Sequence, residues 1–92
     1  MIVSRVRIED FERFWATFST RGLAKRREHG SRGARVFRSA DDPHEMVTLF
    51  DWDREGWEAF MRDPEVVEIM RSAGLEHPPE PTFLDPVDEL EA

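Results

Sequence analysis

Residues 45–52, EMVTLFDW, constrain the fold more than any other segment. Within it, Met46, Val47, Leu49 and Phe50 are apolar at both alternating positions. A strand with one face in water alternates apolar and polar side chains, because successive side chains point to opposite faces of the sheet. We therefore predict a strand here that is covered on both faces. Helices of the same chain cover only one face, so the other needs a second layer, and a second sheet is its simplest source.

Periodicity along the rest of the chain predicts the order βαββαβ. Apolar side chains recur with period two in the strand segments and with helical spacing between them. Glu9 or Asp10, and later Asp53, are N-cap candidates, while Gly30 and Gly74 are candidate helix ends. The predicted strands span 1–8, 34–39, 45–52 and 82–84, and the predicted helices span 10–29, with a candidate break at Gly22, and 53–74, with a restart at Asp63–Pro64. This is an α+β, ferredoxin-like fold: an antiparallel four-stranded sheet with two main helices on one face.

The size of the chain predicts a dimer. A chain of 92 residues buries only about 60–65% of its unfolded surface, so its own core is thin. Cysteine is absent, yet the chain has three Trp and seven Phe. A second copy of the chain would complete such a core, because association stabilises the folded state. We expect one domain over residues 1–85, which pairs as a homodimer, and an acidic tail over residues 86–92.

Charge and hydropathy exclude several classes of function. The net charge is −7, whereas nucleic-acid binding needs a basic surface. No apolar run approaches the roughly 20 residues of a membrane span, and the first residues lack the pattern of a signal peptide. We therefore expect a cytoplasmic protein that binds neither nucleic acid nor membrane.

Short motifs at the ends of the predicted elements carry a family likeness. They are Asp10-Phe11, His29-Gly30, Arg35-Val36-Phe37-Arg38, Asp41-Asp42-Pro43, Phe50-Asp51-Trp52-Asp53, Gly74, Pro79 and Phe83-Leu84. Together they resemble the dimeric α/β-barrel superfamily, and in particular small proteins related to antibiotic-biosynthesis monooxygenases. The resemblance implies that two subunits pack sheet to sheet into a barrel, and that each has a pocket between its sheet and its helices. Characterised members include cofactor-free oxygenases of aromatic quinone precursors, haem-degrading enzymes, and cyclases or isomerases. The haem-degrading members use an Asn, which this chain lacks.

Aromatic side chains are the first group of candidate site residues. Trp15, Phe18, Trp52, Trp57 and Phe60 would line an apolar pocket for a flat ring. The same spacing is also typical of an ordinary hydrophobic core.

The end of the first helix supplies the second group. Gly22 leaves room in the apolar stripe, His29 is a candidate general base, and Lys25 and Arg26 at its edges would meet an anionic substrate. In the alternative interpretation, Gly22 marks a break, both cations face water, and His29 interacts with the helix dipole. No two histidines have metal-ligand spacing, so we expect no metal and no cofactor.

Three hypotheses of function stay open. The chain is a cofactor-independent oxygenase of an aromatic or polyketide-like molecule, a non-catalytic dimer that binds a small hydrophobic ligand, or a purely structural dimer. The fold alone does not choose between an enzyme and a binding protein.

Overall fold

The predicted order of elements is present in the computed structural model, which describes all 92 residues. The elements are β1 (Ile2–Arg7), α1 (Phe11–Thr17), a π-helical segment (Phe18–Gly22), α2 (Leu23–Glu28), β2 (Gly33–Arg38), β3 (Glu45–Asp51), α3 (Arg54–Arg62), α4 (Pro64–Ser72) and β4 (Glu80–Phe83). The strands form one antiparallel sheet in the order β2-β3-β1-β4. The predicted α+β, ferredoxin-like fold is therefore confirmed. None of the helices combines the length and the apolar character that a membrane crossing requires.

The predicted helix boundaries are also present. The Asp10 carboxylate accepts a hydrogen bond from the backbone of Arg13, and the Asp53 carboxylate accepts one from Gly56, each at 2.8 Å. Both aspartates thus satisfy N–H groups that have no partner within the helix. Gly30 and Gly74 end their helices with φ angles of 91° and 75°, a region that suits glycine and few other residues.

The helical region after β1 is continuous, but its hydrogen-bond period changes at its centre. The π-helical segment joins α1 directly to α2. Within it, the hydroxyl groups of Ser19 and Thr20 donate to the carbonyls of Trp15 and Ala16. Such bonds compete with the backbone N–H groups of a regular α-helix. The candidate break at Gly22 is therefore a local widening of the helix and not an interruption.

The last strand begins earlier than predicted. It spans Glu80–Phe83 and includes Pro81, which lies before the predicted strand 82–84. A proline is tolerated there because β4 is an edge strand, so its missing N–H group deprives no neighbouring strand of a hydrogen bond.

The two faces of the sheet differ in their cover. The helices cover one face, whose buried side chains in β1 and β3 are Ile2, Ser4, Val6, Met46, Thr48 and Phe50. The opposite face, here called the open face, has an apolar centre that includes Val3, Phe37, Val47 and Leu49, brought side by side by the strand register. Phe37 is 48% exposed there. A single chain thus leaves uncovered the face for which the pattern of β3 predicts a second layer.

Between the sheet and the helices, the core divides into two clusters. The first consists of Ile2, Phe50, Trp52, Trp57, Phe60 and Val66, and the second of Val6, Ile8, Phe14, Met46 and Ala73. Phe18 packs against both clusters. The junction between them is the place where packing is incomplete.

Candidate functional site

A cavity of about 60 Å³ lies at this junction. Phe50, Trp57 and Phe60 of the first core cluster line it, together with residues of the second cluster that include Phe14. Phe18, at the start of the π-helical segment, also lines the cavity. The walls are thus mainly apolar, include five aromatic rings, and come from the sheet and from the helices that cover it.

The floor of the cavity follows from two small residues in the sheet. Ser4 of β1 and Thr48 of β3 are directly paired across the strands, and both line the cavity. Their neighbours on the same face are the larger Ile2, Val6, Met46 and Phe50. A pair of small side chains at the centre of a sheet leaves space above it that a pair of large ones would fill.

Arg26 supplies the only charged side chain in the cavity lining. The residue is 5% exposed. Its guanidinium stacks 3.8 Å above the ring of Phe18, and its Nη2 donates to the Phe18 carbonyl at 3.0 Å. No carboxylate pairs with it, and burial alone lowers the pKa of Arg26 to about 10. At neutral pH the cavity therefore holds a positive charge that the protein does not compensate.

Gly22 makes room for this guanidinium. A methyl group at Gly22 would lie 3.0 Å from Nη1 of Arg26 and 3.2 Å from the carbonyl oxygen of Thr17. Gly22 precedes Arg26 by four residues, so the two face each other on successive turns. The absent side chain of Gly22 is what lets Arg26 fold inward, and the expectation that both cations face water is wrong for Arg26.

The other polar groups of the cavity are hydroxyls. Ser4, Thr17 and Thr48 line it, whereas no carboxylate, imidazole or phenol does. Such a lining can stabilise a negative charge on a ligand through the guanidinium and through hydrogen bonds. It contains no group that would accept a proton at neutral pH.

Lys25 and His29 belong to a separate group of charges at the end of α2, here called the outer cluster. Its members are Lys25, Glu28, His29, Asp63 and Glu65. The Lys25 ammonium lies 2.8 Å from Glu28 and 2.9 Å from Asp63, and Nε2 of His29 lies 3.0 Å from Asp63. Hydrogen bonds from His29 and then Lys25 lower the pKa of Asp63 to about 2, and bonds to Glu28, Glu65 and Asp63 raise the pKa of Lys25.

The outer cluster also contains a set of potential metal ligands. Glu28, His29 and Asp63 place ligand atoms within 4.8 Å of one another. The Lys25 ammonium contacts both carboxylates of this set, so a cation is already present among these oxygens.

The predicted site residues fall into two groups. Phe18, Gly22, Trp57 and Phe60 line the cavity together. The structure places the other three, Trp15, Trp52 and His29, elsewhere.

Each of these three has a distinct environment. Trp52 is fully buried in the core, where its indole nitrogen donates to the carbonyl of His29 at 2.9 Å. Trp15 is 42% exposed on α1 and stacks on Phe11. The His29 ring packs edge-on against Phe60 and pairs with Asp63, outside the cavity lining.

The sequence pattern predicted Arg26 only as one of two cations at the edge of the helical stripe, together with Lys25, and it did not predict Ser4 or Thr48 as site residues. One signal was present, since Gly22 precedes Arg26 by one helical turn and has no side chain to keep it out. Ser4 and Thr48 gave no signal, because a hydroxyl residue in a strand is typical of either face.

Solved structures with the same architecture supply the comparison with known proteins. A candidate antibiotic biosynthesis monooxygenase from Bordetella bronchiseptica superposes with a TM-score of 0.75 at 16% identity, over 94% of each chain. The cofactor-independent oxygenase SnoaB from Streptomyces nogalater superposes with a TM-score of 0.70 at 15% identity, over 94% of this chain and 92% of that one. This chain has the fold of antibiotic-biosynthesis-monooxygenase-like proteins. The resemblance predicted from the sequence motifs is thereby confirmed at the level of the fold.

A further solved structure agrees with this assignment. Rv0793 from Mycobacterium tuberculosis superposes with a TM-score of 0.65 at 21% identity, over 98% of this chain and 96% of that one. No family model and no curated protein matches the sequence. The likeness is thus one of monooxygenase-like architecture over nearly the whole chain.

Proposed function

We propose that this chain forms a homodimer, and that each subunit acts as a cofactor-independent monooxygenase on an aromatic or polyketide-like small molecule. The observation that supports the activity is the cavity, with its aromatic walls and its single buried cation. In this chemistry the substrate reacts as its anion and supplies the electrons. A naphthol and O₂, for example, give a naphthoquinone and water, so that one oxygen atom enters the ring and the other leaves as water.

The proposed activity assigns different roles to the aromatic, cationic and imidazole side chains. Trp57 and Phe60 would hold the flat ring, and Arg26 would stabilise the anion that reacts with O₂. His29 stays a predicted general base; its ring lies in the outer cluster, so a proton would have to reach it past Phe60.

The homodimer is proposed from the open face. Val3, Phe37, Val47 and Leu49 form an apolar centre that one chain leaves in water. Exposed apolar surface of this kind marks an association site, and a second open face is a self-complementary partner. We place residues 1–85 in this paired domain. Residues 86–92, in which Val87 and Leu90 are 97% and 85% exposed, form an acidic tail outside it.

Oxygen uptake by the purified protein tests the proposal. We expect native mass spectrometry to give the mass of a dimer, and an oxygen electrode to record uptake with phenols and naphthols. The variant Trp57→Leu should reduce the uptake at least tenfold, because it removes a wall of the cavity. Trp15→Leu is the matched control, since it removes an indole outside the cavity. A dimer that consumes no oxygen with any of these compounds would exclude the activity.

A second candidate function rests on the size of the cavity. Its volume of about 60 Å³ is well below the roughly 300 Å³ of a typical small-molecule pocket. This observation favours a dimer that binds only a very small ligand or has a structural role. Oxygen uptake separates the two candidates, because only the enzyme consumes O₂.

A further inference from the structure

We infer that the ligand of the cavity is a monocarboxylate and that Arg26 binds its carboxylate group. The inference rests on the proposed use of the cavity as a ligand site, and it adds the chemical class of the ligand. It is independent of whether the bound molecule then reacts with oxygen.

Arg26 has hydrogen-bond donors that the protein leaves unused. A guanidinium has five N–H donors. In Arg26, the only protein acceptor for them is the Phe18 carbonyl. Buried arginines are otherwise paired with a carboxylate, because an isolated charge away from water is unfavourable. The neighbouring half-buried cation, Lys25, has such a partner in Asp63. Arg26 therefore has N–H donors that no carboxylate of the chain uses.

The geometry of the guanidinium narrows the class of anion. Stacking on Phe18 and the bond from Nη2 fix the plane of the group. A planar, fixed fork of N–H groups matches a planar carboxylate, with which it forms two parallel hydrogen bonds. One cation also balances one negative charge, which favours a monoanion over a phosphate dianion. The hydroxyls of Ser4, Thr17 and Thr48 in the same lining add neutral hydrogen-bonding groups.

The rest of the lining indicates the polarity and size of the part of the ligand that lies away from its carboxylate. Ten of the sixteen lining residues are hydrophobic, so the body is apolar. The volume of about 60 Å³ holds about two water-sized groups, which is enough for acetate. A larger acid, such as an aromatic one, needs the half-buried side chains of Met70 and Leu75 to move aside. Methionine and leucine at the lining are side chains that can change rotamer without a shift of the backbone.

Binding of benzoate, compared with that of its neutral amide, tests the inference. The two probes have nearly the same shape and differ in charge. By isothermal titration calorimetry at pH 7 and constant ionic strength, we expect benzoate to bind the full-length protein at least tenfold more tightly than benzamide. Arg26→Met should abolish this preference, and Arg26→Lys should keep part of it, because a lysine supplies the charge without the fork. Acetate against acetamide repeats the comparison with a ligand that needs no movement of Met70 or Leu75.

Gly22→Ala gives an independent test that leaves the charge in place. The added methyl group displaces Nη1 of Arg26, so the affinity for benzoate should fall at least tenfold. Gly33→Ala is the matched control, because a methyl group at that exposed position meets nothing within 4 Å. Circular dichroism verifies that each variant is folded.

The outcomes distinguish this inference from the proposed function. Equal affinities for the acids and the amides, or unchanged benzoate binding by Arg26→Met, would overturn the inference and leave the cavity as a site for neutral rings. Failure of both acids to bind would also overturn it. In either case, oxygen uptake with naphthols still decides the proposed activity separately.

Discussion

Lys25 and Arg26 are consecutive cations on the same helix, and their surroundings are opposite. Lys25 points into the outer cluster, where three carboxylates surround its ammonium at no more than 2.9 Å. Arg26 points into the cavity, where its guanidinium contacts an aromatic ring and one carbonyl and meets no carboxylate. In the outer cluster, carboxylates of the same chain balance the cation. In the cavity, no carboxylate of the chain balances the charge of Arg26.

This difference separates structural polar groups from candidate functional ones. A cation surrounded by carboxylates fixes the position of the elements that supply them, here α2 and the start of α4. A buried cation without a partner opposes folding, and chains retain such groups where a ligand or a reaction uses them. The outer cluster should therefore respond to mutation with changes in stability, and the cavity with changes in ligand binding.

The largest effect is expected from Gly56→Ala, on the side of the outer cluster. A methyl group at Gly56 would collide with the indole nitrogen of Trp52. It would also lie only 2.5 Å from the carbonyl oxygen of His29. Overpacking of this kind lowers the free energy of unfolding by about 1–3 kcal/mol. Urea denaturation measures the loss.

Gly22→Ala is the matched substitution in the cavity. There the methyl group meets the movable end of Arg26 and lies 3.2 Å from the Thr17 carbonyl oxygen, a milder approach than the 2.5 Å at Gly56. Alanine also has a higher helix propensity than glycine by about 1 kcal/mol. We expect its stability to stay close to that of the wild type while its affinity for benzoate falls at least tenfold. A large destabilisation by Gly22→Ala, with none by Gly56→Ala, would reverse the contrast between the two regions.

Most of the fold could be predicted because its signals are local. The capping residues Asp10 and Asp53, and the helix ends at Gly30 and Gly74, depend on a few neighbouring residues. The π-helical segment could not be predicted, because the hydroxyls of Ser19 and Thr20 are as compatible with an α-helix as with a wider turn. The last strand was predicted to begin two residues too late, because only its place at the edge of the sheet makes Pro81 acceptable within it.

The candidate site could be predicted only in part. Aromatic periodicity selected Phe18, Trp57 and Phe60, which line the cavity, but it equally selected Trp15 and Trp52, which do not. Periodicity identifies the inward face of an element and cannot tell where along that face the packing is incomplete. The burial of Arg26 depends on three features together: the absent side chain of Gly22, the ring of Phe18, and the small side chain of Ser4 in the sheet. The role proposed for His29 stays a prediction.

An intermediate effect is expected when each of the two cations is replaced by methionine. Burial lowers the pKa of Arg26 to about 10, so its charge opposes folding at every pH below that value. Arg26→Met keeps the aliphatic stem and should raise the free energy of unfolding at pH 7 by about 1 kcal/mol, or leave it unchanged. Lys25→Met should lower it, because Asp63 and its neighbours lose their cation. Urea denaturation of both variants provides the measurement, and a loss of stability in both would mean that Arg26 is a structural cation like Lys25.

The smallest effect is expected from Asp63→Asn, and it should depend on pH. The pKa of Asp63 is lowered from 3.8 to about 2 by its bonds to His29 and Lys25. A carboxylate whose pKa falls on folding stabilises the folded state above the unfolded value, and this stabilisation is lost as the pH falls through the folded value. Wild type should therefore be more stable than Asp63→Asn at pH 6, and the difference should shrink between pH 4 and pH 2. Asparagine keeps the N-cap of α4, so the comparison isolates the charge. Thermal unfolding across this pH range measures it, and a difference that stays constant with pH would show that the outer cluster does not depend on the ionised carboxylate.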